Sequence, residues 1–411
     1  MQLLNLKIDR VNRWRTVALS CLIAAFSNVG SQAIAQAQTP PAANEFHQDY
    51  DLAANGIVNV SNTNGEIRVS SWQENRVRVD AYKRGQEGEL GRIEIRVMAA
   101  PGRLEIKTVF PESKGDRARV DYVLTVPATA RLNSLSTNSG AIVVTGPVAA
   151  VTARALSGEV SLSDVAGAVI VSAHSGNVTL NRIGGDSRVT TTNGAIYLTQ
   201  VAGEIRAQAT SGNIKVEKAA RGAMINSLSG QIEAHGIEGD LKAEALSGRL
   251  DLSNVGGYVN ANSISGAILL RQARNGARLT GVNTQIKVDN LKGRLDVGTT
   301  GGEIVLTQIE SQAVNVKCVN GLIHFTGKLS DDGIYSFDSF NGEVVLNLPA
   351  ESGFRLTART HSGIVKTDFP IQLESFSTAE NRGLTAGRAG QGGADLRVTS
   401  FSGNISLKKA N

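Results

Sequence analysis

A column of hydroxyl and amide side chains recurs at a fixed step as Ser139, Ser157, Ser175, Asn193, Ser211, Ser229, Ser247 and Ser265. A serine becomes a nucleophile only beside a base that takes its proton, and no column of bases accompanies these. The five histidines, His47, His174, His235, His324 and His361, have no metal-ligand spacing. Acids and bases do share faces of neighbouring segments, as in Asp186 with Arg188, Glu204 with Arg206, and Asp240 with Lys242 and Glu244. Enzymes that cut acidic polysaccharides need clustered carboxylates with Arg or Lys, often with Ca²⁺. Here acid and base alternate, the pattern of a solvated surface laced with weak ion pairs. Arg188, Arg206, Lys242 and Arg278 fall in one column and could form a ligand-facing basic stripe for an anionic glycan, diluted by Met224 and Asn260.

Other candidate chemistry is thinner still. Gly387 to Gly393 is no phosphate loop, because no Lys-Ser/Thr and helix follow. Calcium repeats of the Gly-Gly-x-Gly-x-Asp type are absent. Tyr197 and Tyr258 are isolated, and Trp72 lies outside the repeats. Cys318 falls among the small residues Ala155, Ala173, Ala209 and Ala245 and reads as buried filler. The residues therefore predict no enzyme, no cofactor and no metal.

The elements that carry these columns are explicit. Ser or Asn, then Gly, any residue, an aliphatic, any residue and a second aliphatic repeats with its glycine at 140, 158, 176, 194, 212, 230, 248 and 266. Thr284 takes the next slot and Gly302 the one after, while Gly65, Gly321, Gly342, Gly363 and Gly403 continue the motif at looser spacing. Ile196, Ile214, Ile232, Leu250 and Ile268 occupy one aliphatic column, and Leu198, Val216, Ala234, Leu252 and Leu270 the next. Such alternation marks a half-buried strand. A second glycine column, Gly167, Gly185, Gly203, Gly239, Gly257 and Gly293, precedes a second alternating strand. A unit this short must stack on its neighbours to bury its apolar face. The glycines are expected to turn corners at positive φ, with the Ser/Asn ladder capping turn backbone.

The fold expected is an all-β, single-stranded parallel β-solenoid with 18-residue coils, right-handed from the bias of parallel crossovers. A left-handed hexapeptide solenoid has coils of the same length, but it needs an aliphatic at every sixth position, and Glu238 and Glu244 follow Ile232 at that interval. Residues 136–367 form the repeats. Residues 45–135, where Ile57–Val60, Glu66–Val69, Arg76–Asp80, Ile93–Val97, Leu104–Thr108 and Val120–Val126 alternate, read as an irregular β cap over the open end. Residues 368–393 read as a flexible loop or lid, and 394–411 as a final coil.

Residues 1–37 read as a cleaved signal peptide: Lys7, Arg10, Arg13 and Arg15, an apolar run from Thr16 to Phe26, and small-x-small steps at Ala33-Ile34-Ala35 and Ala35-Gln36-Ala37. The run is short of the ~20 residues that span a bilayer. Residues 38–44 read as a linker. Without the leader's four basic residues and Asp9, the formal net charge falls from +5 to about +2, too little to argue for nucleic acid. The single remaining cysteine excludes a disulfide framework within one chain. No later segment could make a transmembrane helix. Glycine at 44 of 411 residues and aromatics at 4% fit many short strands and tight turns.

The N-terminal strands, the Val126-Pro127 step, the repeated Ser-Gly-x-Ile-x-Leu coils and the closing Ser402-Gly403-Asn404-Ile405-Ser406-Leu407 resemble the bacterial putative-adhesin family of β-strand-repeat domains of unknown function. The likeness covers about residues 45–408. It implies a surface or envelope role and carries no catalytic or binding residues. The expected function is thus an exported, noncatalytic adhesion or interaction scaffold at the cell surface or in the periplasm, binding an envelope protein or glycan. Alternatives are a periplasmic structural or stress-associated envelope protein and a β-helix enzyme acting on polysaccharide.

Overall fold

A computed structural model describes residues 44–110, 118–375 and 383–410. The leader and most of the expected linker lie outside the described residues, as do residues 376–382 of the expected loop. Strands make up 70% of the chain, with one four-residue helix, Glu87–Leu90. The strands stack as a β-solenoid, and twelve turns follow one another in chain order from Arg131 to Pro349.

Each turn contributes one strand to each of two parallel ladders. One ladder holds the strands that run up to the Ser-Gly corner, such as Val169–Ser175, Ser187–Asn193 and Ile205–Ser211. The other holds those that follow it, such as Val178–Ile183, Ile196–Val201 and Ile214–Ala219. Through the regular coils each residue pairs with its equivalent one repeat away, so Ile196 pairs with Ile214, and Ile214 with Ile232. The columns of inward aliphatics are fully buried: Ile196, Ile214, Ile232, Leu250 and Ile268 all have 0% exposure. Like side chains stacked at about 4.8 Å leave no gap along the axis.

The post-glycine strands break strict alternation. Leu180 and Ile183 both point inward with two outward residues between them. A residue in the left-handed region makes this possible. Asp164, Arg182, Gln200, Lys218, Asn254, Gln272, Asn290 and Gln308 recur at the same step, except where Gly236 takes the slot, and have φ between 53° and 62°. The resulting kink, repeated in register on each coil, re-aims a third column inward, formed by Val165, Ile183, Val201, Ala219, Ile237 and Val255. Gly185 and Gly203 lie outside the left-handed region, unlike the positive φ expected of them. They are required by close approach, because a Cβ on Gly203 would sit 2.3 Å from the carbonyl carbon of Gly185.

At the Thr284 slot the corner changes. Ala277–Lys292 runs through it as one continuous strand, as Val259–Ala273 runs through the preceding Gly266 corner. The Thr284 side chain is fully buried, and its Oγ1 donates to the Ser263 carbonyl at 3.1 Å. The space comes from Gly281, which stands where other coils carry Ala209 or Ala245. A Cβ there would lie 2.4 Å from Thr284 Cβ. Gly281→Ala is expected to destabilise the protein by about 1–3 kcal/mol through overpacking. Adding Thr284→Gly recreates the Ala/Gly pair of the Ala209/Gly212 and Ala245/Gly248 corners and is expected to recover most of that loss. Denaturant unfolding of the two single variants and the double variant measures the coupling, and additive losses would refute it.

Both ends are interleaved. Ile57–Ser61 lies between Arg103–Val109 and Arg131–Ser139, and Ile67–Trp72 lies between Arg119–Pro127 and Ile142–Thr145. At the other end Ala394–Ser400 lies between Ile334–Asn341 and Phe354–Thr360, while Ile405–Ala410 separates Val344–Pro349 from Val365–Thr367. Ile57–Ser61 therefore sits one coil inside the later Arg103–Val109, and Ala394–Ser400 one coil inside the earlier Phe354–Thr360.

Antiparallel strands then cover the outermost coils. Arg76–Arg84 and Glu94–Ala100 pair with Arg119–Pro127 and Arg103–Val109, and Leu384–Ala389 pairs with Phe354–Thr360. Ile371–Ser375 adds to Leu384–Ala389, so described parts of 368–393 form strands. Toward this end the core turns aromatic, with Phe325 edge-on to both Tyr335 and Phe337.

Candidate functional site

The pre-glycine strands bend at the Ser-Gly corner, and the bend builds an axial groove beside an axial ridge. Two residues before the glycine the side chain points out. Leu228, Leu246, Ile264 and Val282 follow one another there on successive coils, and after Thr300 come Val319, Phe340 and Phe401. Leu156 lies in the same column nearer the N-terminal end. All eight apolar side chains are between 43% and 54% exposed, and they are eight of the fourteen large exposed hydrophobics among the described residues. Single exposed hydrophobics are ordinary, but a contiguous line of them marks an interaction surface. Phe340 and Phe401 stack at 4.9 Å with their planes 4° apart, and His361 stacks on Phe401 at 4.8 Å.

Beside the ridge runs a groove of about 670 Å³. Its floor is the small-residue column Ala209, Ser227, Ala245, Ser263 and Gly281, and its far wall is Gln208, Asn226, Glu244, Asn262 and Thr280. The floor residues point inward, so the groove runs over their backbone between two outward-pointing rows, the polar wall and the ridge. Glu244 is the one ionisable residue in the lining, and Lys242 Nζ lies 2.9 Å from its Oε1. The groove can grip apolar matter along one side and hydrogen-bonding matter along the other.

Arg188, Arg206, Lys242 and Arg278 do share one outward column, with Met224 and Asn260 between them. Arg206 is paired to Glu204 at 3.2 Å and Lys242 to Glu244. Most such pairs join residues two apart on one exposed strand, as in Lys215 with Glu217 and Arg294 with Asp296, where each contributes little. Those neighbours shift one another in the expected sense: the Lys215 ammonium holds the Glu217 carboxyl below its ordinary value.

The Ser column points to solvent without capping the turns as expected. The corners are closed by backbone, with Gly158 N–H donating to Ser175 O at 2.9 Å and Gly212 N–H to Ser229 O at 3.0 Å. Side-chain capping falls two residues later, where Asn177 Oδ1 accepts from Ala195 N–H and Asn213 Oδ1 from Gln231 N–H. Among the described residues no hydrogen bond joins these serine hydroxyls to a histidine or a carboxylate. Cys318 is 3% exposed, its Sγ is 3.6 Å from Gly302 O, and burial pushes its thiol pKa up, the opposite of an activated thiolate.

The histidines stay apart. His47 bonds Asp80 at 2.7 Å, which with Glu45 raises its pKa, and His235 bonds Ser253. Among the described residues no group of three His, Cys, Asp or Glu could hold a metal, and no helix is long and apolar enough to cross a membrane.

The ridge was not singled out in the sequence. Its residues lie one position beyond an inward small residue, where alternation predicts an outward side chain of any kind, and only reading that column down successive repeats reveals its apolar run.

No curated protein matches the chain. Solved structures do. A "putative cell adhesion protein" from Clostridium sporogenes is 11% identical, covering 89% of this chain and all of its own at a TM-score of 0.20. A "putative adhesin" from Parabacteroides merdae is 10% identical, covering 66% and 96% at 0.28. One from Bacteroides fragilis is 15% identical, covering 68% and 98% at 0.23. The Toastrack DUF4097 family model matches residues 115–278 and again 237–408, which takes in nearly all the stacked coils, and the chain belongs to that family.

Proposed function

We propose that this protein is an exported, noncatalytic adhesion or interaction scaffold of the bacterial cell envelope, and that the ridge and groove form its binding surface. The observation that carries the reading is the exposed apolar column held in register on successive coils. Burying such a line costs nothing in desolvated charge, and at ~25 cal/mol per Å² it can supply useful affinity. The column Arg188, Arg206, Lys242 and Arg278 offers a separate face to an anionic glycan. Export rests on the basic, apolar and small-x-small order of residues 1–37.

Protease treatment of intact and lysed cells carrying the tagged protein tests the location. Digestion on intact cells favours adhesion at the surface, and protection until the outer membrane is opened favours a periplasmic scaffold. Recovery of the uncleaved chain in the cytoplasm would overturn the proposal. Incubation with uronate polymers tests the noncatalytic part, with no unsaturated products expected and steady turnover refuting it.

A further inference from the structure

We infer that a second copy of this chain occupies the ridge and groove, forming a parallel two-fold dimer whose axis runs along the solenoid. This rests on the reading that the apolar edge is the interaction surface, and adds the identity of the partner.

The argument begins with spacing. A ligand that engages the whole edge from Leu228 to Phe401 must present contacts at the same interval as the coils, about 4.8 Å, over seven steps or about 34 Å. An extended peptide advances about 3.3 Å per residue and falls out of step. A second copy has the matching period by construction. The order of columns across the edge then selects the symmetry. The polar wall, the small-residue floor, the ridge and the Ser/Asn column follow in that order, at residues 244, 245, 246 and 247 in one coil.

A two-fold axis along the solenoid, placed between floor and ridge, maps ridge onto floor and polar wall onto Ser/Asn column. Leu246 of one copy then enters above Ala245 of the other, and Ile264 above Ser263. An antiparallel arrangement would instead set ridge against ridge and leave both grooves empty.

Charge agrees. In the parallel arrangement each polar-wall residue faces the Ser/Asn column of the same coil. Glu244 meets Ser247, and further along the same column, beyond the groove, Lys317 meets Asn320 and Asp338 meets Asn341. Every ionised group of the wall meets a neutral hydroxyl or amide that can hydrogen-bond it, and no like charges are opposed. The contact is isologous, as two-fold dimers require.

Sedimentation of the purified protein over a concentration series tests the dimer. A reversible monomer–dimer equilibrium is expected, and Leu246→Arg should raise its dissociation constant about 30-fold or more, the loss typical of a central anchor. Leu246 is 44% exposed, so the variant should keep its fold, which circular dichroism checks. A monomer at all concentrations, or a dimer indifferent to Leu246→Arg, overturns the inference.

Oxidative cross-linking fixes the arrangement. A mixture of Glu244→Cys and Ser247→Cys chains should give a covalent dimer, and Glu244→Cys mixed with Asn320→Cys should not. The reverse result would refute the parallel register. Self-association of purified protein is independent of where the protein resides, so its failure and a failure of the envelope reading are separate results.

Discussion

Gly212→Val is expected to destabilise the solenoid by about 2–6 kcal/mol, the sum of a backbone cost and a steric one. Gly212 has φ +142°, a conformation reserved for glycine that costs other residues about 1–3 kcal/mol. Its Cβ would lie 2.1 Å from the carbonyl oxygen of Gly194 in the adjoining coil, and relieving that overlap adds about 1–3 kcal/mol. Neither coil can back away. Gly194 N–H is bonded to Ser211 O and Gly212 N–H to Ser229 O, so a shift at one corner strains both. Because each coil contacts only its neighbours, the loss should appear first in hydrogen exchange of the strands flanking residue 212. Exchange in Val259–Ala273 should change less. A variant as stable as the parent, with unchanged exchange at the 194 and 230 corners, would show that the corners are not stacked carbonyl over glycine.

The same corner shows what the sequence could and could not reveal. Gly194, Gly212 and Gly230 are legible because steric exclusion leaves one residue type at those steps. The inward columns at Ile214 and Val216 are legible because burial leaves few. The left-handed column is not, since Arg182, Gln200 and Lys218 share a backbone conformation but no side-chain chemistry, and Ile183 and Val201 then look out of phase with the strand before them. The ends are illegible for another reason. Ile57–Ser61 and Arg103–Val109 have equally strand-like patterns, and nothing local says which stacks on Arg131–Ser139. That choice belongs to long-range packing, in which the chain skips a coil and returns, as it does again near Ala394–Ser400. The ridge lay in plain view as residues, yet exposure rather than composition gives Leu228 and Leu246 their meaning.

Ile268→Asp should bring a comparably large loss with a pH dependence the parent lacks at that position. Ile268 is fully buried between Leu250 and Ile286 of the adjoining coils, with aliphatic columns on either side and no basic group to pair a carboxylate. Removing the side chain from the stack costs about 2–5 kcal/mol, and an unpaired buried charge would add to it. The aspartate can escape the second cost by staying protonated, so its folded-state pKa rises above the unfolded value of about 3.9. Between those two values the folded state binds more protons than the unfolded state, and stability falls as pH rises.

The variant should therefore approach the stability of an Ile268→Asn control at acidic pH, and drop progressively below it from about pH 4 upward until the folded-state pKa is passed. Asn has nearly the same shape and cannot ionise, so it isolates the charge from the cavity. Unfolding curves for both variants across that range decide the matter. A constant gap between them would mean that water or a cation reaches position 268, and that the interior of the stack is not the closed aliphatic column that the register of its coils describes.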